Sequence, residues 1–161
     1  MKKEKFSVLL RGENLAFSSA HFLTYDGHTR ENIHGHNFKV TVQVSSYELE
    51  NSMVIDFLIL EKIVINIISE LKDKLIIAQN NENFKIEKSE KQININFHDE
   101  CISLPIRDCV LLPITNTSTE LIACYIGKAV HKQLPMNNIS MKICLEEAIG
   151  CVGIYELKEG E

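Results

Sequence analysis

Three histidines, His21, His34 and His36, are spaced H-x12-H-G-H near the start of the chain. They lie in FSSAHF and NIHGHNFKVTVQV, segments whose alternation reads as β-strand. Successive strand side chains point to opposite faces, so His34 and His36 project from one face. If the strand of His21 pairs with that of His36, three imidazoles converge on one point. Three neutral imidazoles with an open fourth position are the ligand set of a catalytic zinc site, and all-nitrogen donors favour zinc over hard cations. Two histidines in an H-x-H pair are more often just surface or packing residues; the third histidine on a neighbouring alternating segment is what points to metal. Gly35 leaves room for a close backbone approach, or for a bulge that re-aims both rings. His28, His98 and His131 lack such context. The first two read as loop or strand-end residues and His131 as a helix C-terminal histidine.

The composition narrows the function classes. The 161 residues, 45% hydrophobic and 24% charged, fit a single domain over 1–161 with one core. A net charge of −5 and a pI near 5.7 argue against a general nucleic-acid binder, and no Lys/Arg cluster with interleaved aromatics is present. The apolar run in MKKEKFSVLL is too short for a signal peptide, and no stretch reaches transmembrane length. The expectation is a cytoplasmic protein without a membrane partner. Five cysteines, Cys101, Cys109, Cys124, Cys144 and Cys151, form no CxxC pair and read as reduced thiols, mostly small core residues.

The elements that must position the histidines follow from periodicity. Residues 5–10 and 15–22 predict two strands joined by a turn at Gly12-Glu13-Asn14, and 24–33 a polar loop leading into the HGH strand. Residues 39–45 predict a strand with Val40, Val42 and Val44 on one face. Asp56 opens a helix carrying Phe57, Leu60, Ile63, Val64, Ile67, Ile68 and Leu71, and is either its N-cap or an active carboxylate. The polar stretch 78–92 followed by strand-like residues suggests an added hairpin over 84–104 as the part least tied to the core. A second helix runs from about Thr117 to Lys132, and Thr117 with Glu120 matches a capping box. Residues 139–155 alternate as a final strand, bent near Gly150 and Gly153. The predicted order is β-β-α-(β-β)-α-β, an α+β chain.

Taken together, FSSAHF, HGHNFKV, MVIDF, LLPITNTSTELIACYI and EEAIGCVGIY resemble the 6-pyruvoyl-tetrahydropterin synthase / 6-carboxy-tetrahydropterin synthase family over most of the chain. The resemblance implies the tunnelling fold, a four-stranded antiparallel sheet with two helices on one face, and relative to compact members of the family it marks an inserted hairpin near 77–104. It also implies a homo-oligomer, trimer or hexamer, whose sheets close into a β-barrel with sites at subunit interfaces. His21, His34 and His36 then correspond to ligands of Zn2+. Glu147, eight residues before Tyr155, corresponds to the carboxylate that anchors a pterin, accepting two parallel N–H bonds from its 2-amino-pyrimidinone edge. Its neighbour Glu146 faces the other side of the strand. Thr119 and Glu120 align with residues lining the pterin pocket, although capping alone explains Glu120.

Two departures from the family pattern bear on the reaction. The family's cysteine, four residues before HGH, is Arg30, which stays protonated and only donates. Beside it Glu31 gives E-x-x-H-G-H, resembling a subgroup in which glutamate abstracts the proton; Glu31 also reads simply as a charged loop residue. That subgroup cleaves the side chain of 7,8-dihydroneopterin triphosphate to 6-hydroxymethyl-7,8-dihydropterin, a folate or methanopterin precursor. The expected Asp-His pair after the first helix falls on Lys72 and Asp73, leaving Asp73 as the second catalytic candidate. The resulting expectation is a zinc-assisted, retro-aldol-type lyase with Glu31 as base, its carboxyl raised by partial burial from its ordinary value near about 4.3. Arg30 either meets the triphosphate or is a plain surface residue. The rivals are a 6-pyruvoyl- or 6-carboxy-tetrahydropterin synthase and a non-catalytic homologue binding pterin and zinc.

Overall fold

The computed structural model describes residues 4–158; the two ends of the expected domain, 1–3 and 159–161, lie outside the described residues. One long strand, β1 (Phe6–His21), stands where two were expected. The Gly12-Glu13-Asn14 segment is no turn. Residues 12–15 bulge opposite Val40 alone, between the pairs Arg11↔Thr41 and Ala16↔Lys39. This irregularity changes the facing of the strand. Before it Val8 and Leu10 pack on the core; after it Leu15, Phe17, Ser19 and His21 are the buried set. Without the slip His21 would point away from the helices.

Within the expected loop, β2 (Thr24–Tyr25) and β3 (Thr29–Arg30) form a small hairpin around Asp26 and Gly27, both at positive φ, the signature of an Asp-Gly turn. β4 (His34–Ser46) then pairs antiparallel with β1, with Gly35 opposite Ala20 and His34 opposite His21. Helix α1 (Phe57–Ser69) is capped by Asp56, whose carboxylate accepts from the Leu58 amide at 2.8 Å, so Asp56 is a cap. β5 (Leu75–Ala78) follows. Where one hairpin was expected, β6 (Lys85–Lys88), β7 (Gln92–Phe97) and β8 (Glu100–Pro105) form a separate three-stranded antiparallel sheet. After β9 (Cys109–Leu112), helix α2 (Thr119–Gln133) is capped by Ser118, which accepts from the Leu121 amide at 3.4 Å. The Thr117/Glu120 capping box does not form. Thr117 instead donates its hydroxyl to the Phe22 carbonyl at 2.5 Å, which places it at the histidines rather than on the helix. The single bent strand expected at the end is a hairpin, β10 (Ser140–Ala148) and β11 (Cys151–Leu157), turning at Gly150 with φ +81.

The main sheet has the order β11-β10-β4-β1-β5-β9. Its first four strands are antiparallel, as expected, but β5 and β9 add two parallel strands, so the sheet is six-stranded and mixed. Both helices pack on one face, burying Phe38, Val42, Leu60, Ile122 and Ile143. β5 is buried on both faces. Ile76 and Ala78 join that core, while Leu75 and Ile77 join a second cluster with Phe22, Ile93 and Ile95. The three-stranded sheet therefore has an apolar anchor of its own, contrary to the expectation of a loosely tied hairpin. The main sheet of one chain is open, with β11 and β9 as edges, and does not close on itself. No helix among the described residues is long and apolar enough to cross a membrane.

Candidate metal centre

The three histidines meet at the end of the sheet near the start of α2. Ring centroids lie 4.7 Å apart for His21 and His34, 5.2 Å for His21 and His36, and 4.9 Å for His34 and His36. Glu147 joins them: each of the four offers one ligand atom, all within 4.8 Å of one another. Gly35 serves the close approach rather than a bulge. The β1–β4 register is unbroken there, and a Cβ would sit 3.3 Å from the Ser19 carbonyl oxygen.

Glu147 reaches the site through an irregularity of its own. The β10–β11 register slips between Glu146 and Ala148, so Glu147 has no cross-strand partner and its side chain is re-aimed. Glu146 turns away and accepts from the Gly150 amide at 3.2 Å. The Thr119 hydroxyl donates to Glu147 Oε2 at 3.1 Å. Thr119 is brought there by Gly153 of β11, where a Cβ would fall 2.7 Å from the Thr119 carbonyl carbon and the Glu120 nitrogen. Glu120 itself is exposed on the first turn of α2.

Hydrogen bonds fix the tautomers of His21 and His34. His21 Nδ1 lies 2.9 Å from the Thr117 carbonyl oxygen, which can only accept, so Nδ1 carries the hydrogen and Nε2 presents a lone pair. His34 Nδ1 donates to the Asn32 carbonyl at 2.9 Å with the same result. Burial, the dominant influence, lowers the His21 pKa, with His34 and His36 adding to it and Thr117 and Glu147 opposing. His21 is thus a neutral, fully buried imidazole whose Nε2 has no hydrogen-bond partner. That nitrogen faces Glu147 Oε1 at 2.9 Å, and His36 Nε2 faces the same oxygen at 3.5 Å. With the hydrogen of His21 on Nδ1, the 2.9 Å contact sets the Nε2 lone pair against a carboxylate oxygen. A cation at Nε2 relieves this, and three imidazole nitrogens with a carboxylate close by fit a zinc-type ion that keeps a fourth position open.

Glu31 stands at the rim of this cluster. Its Oε2 accepts from the Leu23 amide at 3.1 Å and lies 3.9 Å from His34 Nδ1, while Oε1 accepts from the Tyr25 hydroxyl. The expected rise in its pKa does not occur. Burial pushes the carboxyl up, but the Tyr25 hydroxyl, the Leu23 amide and the nearby His34 and His21 outweigh it and hold it below its ordinary range. Arg30 is engaged elsewhere: Nε donates to Glu100 Oε2 at 2.6 Å, and another guanidinium nitrogen donates to the Glu31 carbonyl at 2.9 Å. Asp73 is outside the four-group cluster. It is exposed, at φ 58, and with His36, Ser18, Asn37 and Lys74 borders an open cavity of about 440 Å³. The five cysteines are free and none joins the cluster; burial above all raises the Cys109 thiol, away from activation. Sequence reasoning missed Thr117, Asn32, Leu23 and Tyr25. The first three act through backbone atoms, which leave no mark in residue type; only the Asp-Gly turn beside Tyr25 offered a signal.

Comparisons with known proteins agree with one another. A family model described as 6-pyruvoyl tetrahydropterin synthase matches residues 13–158. A Methanocaldococcus jannaschii protein, provisionally named 6-carboxy-5,6,7,8-tetrahydropterin synthase, is 35% identical over 147 residues, 88% of this chain and 89% of its own length. The structure of Plasmodium falciparum 6-pyruvoyl tetrahydropterin synthase superposes with a TM-score of 0.87 at 29% identity, covering 96% of this chain and 98% of that one. The Plasmodium vivax enzyme, solved as a mutant with a catalytic glutamate replaced by alanine, gives a TM-score of 0.87 at 25% identity, covering 96% of this chain and 99% of that one.

Proposed function

The chain belongs to the 6-pyruvoyl tetrahydropterin synthase family, and from that premise we propose that it is a zinc-dependent lyase. It cleaves the side chain of 7,8-dihydroneopterin triphosphate to give 6-hydroxymethyl-7,8-dihydropterin. The observation that carries this reading is the Glu31 carboxylate at the rim of the histidine cluster, 3.9 Å from His34, with an ion-paired arginine, Arg30, beside it and no cysteine among the clustered groups. The glutamate called a catalytic residue in the Plasmodium vivax enzyme supports the same assignment.

His21, His34 and His36 hold the metal, which when bound supplies Lewis acidity that lowers the pKa of a side-chain hydroxyl and steadies charge on its oxygen. Glu147 takes the pterin ring through two parallel hydrogen bonds from its N–H edge. Thr119, donating to Glu147 Oε2, sets the carboxylate plane, and Glu120 lines the rim of the pterin pocket. Glu31 removes the proton from the C2′ hydroxyl. The C2′ oxygen becomes a carbonyl, the C1′–C2′ bond breaks, and its electron pair passes to C1′ and the conjugated ring. C1′ then takes a proton from solvent, relayed by Asp73 on the cavity wall beside His36, and Glu31 returns to solvent the proton it removed, so both carboxylates end as they began. The step is redox-neutral: the C1′ hydroxyl stays on the pterin and the triphosphate leaves on an aldehyde. Glu31 is ready to accept a proton at neutral pH, and expulsion of water by the substrate raises its basicity.

A second reading, a 6-carboxy- or 6-pyruvoyl-tetrahydropterin product from the same substrate, is favoured by the provisional name of the Methanocaldococcus jannaschii relative. In either case the protein is a cytoplasmic homo-oligomer, trimer or hexamer; the half-exposed Val152 and Ile154 on edge strand β11 support the association between chains. The test is to incubate zinc-loaded protein with 7,8-dihydroneopterin triphosphate and identify products by chromatography and mass spectrometry. The 6-hydroxymethyl product is expected. A carboxy or pyruvoyl product selects the second reading, and bound but unchanged substrate would mean a binding protein without catalysis.

A further inference from the structure

We propose that the three-stranded sheet β6–β8 positions Glu31, acting through Glu100 and His98; this rests on Glu31 being the base. A two-stranded hairpin as short as β2–β3 is marginal alone in water. Here it is held at three points by residues in or just before the added sheet. At its far strand, Arg30, the neighbour of Glu31, donates from Nε to Glu100 Oε2 at 2.6 Å, and a second guanidinium nitrogen contacts the same oxygen. At its tip, His98 Nε2 lies 2.9 Å from the Gly27 carbonyl oxygen, which accepts, and the His28 and His98 rings stack 6.0 Å apart at 13°. At its start, Asn81 and Asn83 both donate to the Thr24 hydroxyl, at 2.9 and 3.0 Å. The added sheet is fixed in turn by Ile93 and Ile95 packing with Phe22, one residue beyond His21. Arg30 completes the path by donating to the Glu31 carbonyl at 2.9 Å.

The geometry favours orientation over stability. Glu100 is 58% exposed, and ion pairs so exposed add little to folding. A misplacement of about 1 Å at a catalytic group costs up to about 10²-fold in rate. Glu100 and His98 are therefore positioning residues for the base.

The test compares Glu100→Gln and the Glu100→Gln/His98→Ala double variant with wild type and Glu31→Gln, all zinc-loaded. Turnover of 7,8-dihydroneopterin triphosphate is read with hydrogen exchange of amides 24–31, zinc content and melting temperature. The double variant is expected to lose roughly ten-fold in kcat with KM within about two-fold, and to exchange faster over 24–31. Its zinc content and melting temperature should match wild type; Glu100→Gln alone, at an exposed position, should show the same pattern to a lesser degree. Unchanged kcat or unchanged exchange, with Glu31→Gln inactive, would overturn the positioning role and leave the base in place. An active Glu31→Gln would overturn both.

Discussion

The Nδ1–H of His21 donates to the carbonyl oxygen of Thr117 at 2.9 Å, joining residues 96 apart in the chain. This bond turns the buried Nε2 toward His34, His36 and Glu147 and leaves it with a lone pair, the state a metal ligand needs. Thr117 is locked in turn by its own hydroxyl bond to Phe22, the residue after His21. The approach to α2 and the end of β1 thus orient one another.

Acid should destabilise the metal-free protein through His21. Its folded pKa lies below the ordinary 6.5, mainly because of burial, so the unfolded chain binds more protons as pH falls through that value. Stability is present above the unfolded pKa and is lost as pH drops. Glu31 acts in the same sense lower down: its carboxyl is held below 4.5 in the fold, so its contribution goes as pH falls toward the folded value. Melting of the metal-free protein between about pH 7.5 and about pH 5.5 should show a falling midpoint, with a shallower slope in His21→Asn. Equal slopes would contradict the assignment. In the same variant, zinc retained after dialysis should drop to background.

Gly153→Ala should separate Thr119 from Glu147. The new Cβ meets backbone atoms of Thr119 and Glu120 at 2.7 Å, which cannot swing aside as a side-chain tip could. The start of α2 must shift, at a cost of about 1–3 kcal/mol. Denaturant unfolding should show that loss, and KM for the pterin should rise as Thr119 stops orienting Glu147. An unchanged midpoint would show that α2 yields without strain.

How legible was this molecule? The convergence of the three histidines on one face was readable because strand alternation is a strict period of two. Both helices were readable from their apolar spacing, and Asp56 from its place before α1. The bulge at residues 12–15 was not, because Gly12-Glu13-Asn14 carries turn chemistry and only pairing across to Val40 and its neighbours makes one strand of it. β5 escaped because LIIA is apolar without alternation, the pattern of a strand covered on both faces, and it merges with the end of α1. The pKa of Glu31 depends on Tyr25 and the Leu23 amide, contacts that composition cannot reveal.

Ile95→Ala measures how firmly the added sheet is attached. Ile95 is fully buried in the cluster that β7 shares with Leu75 and Ile77 of β5. Truncation should cost about 2–5 kcal/mol in denaturant unfolding, the range for a core isoleucine. A loss below about 0.5 kcal/mol, as for surface positions, would mean that the sheet is peripheral after all.

If Glu31 is the base beside a metal held by His21, His34 and His36, removing its carboxylate stops the reaction without releasing the metal. The most direct measurement is a single-turnover assay of zinc-loaded wild type and Glu31→Ala with 7,8-dihydroneopterin triphosphate, products identified by mass spectrometry and zinc content determined on the same samples. Wild type should give 6-hydroxymethyl-7,8-dihydropterin and Glu31→Ala none, at equal zinc and with substrate still bound. The same product at an undiminished rate from Glu31→Ala would contradict Glu31 as the base.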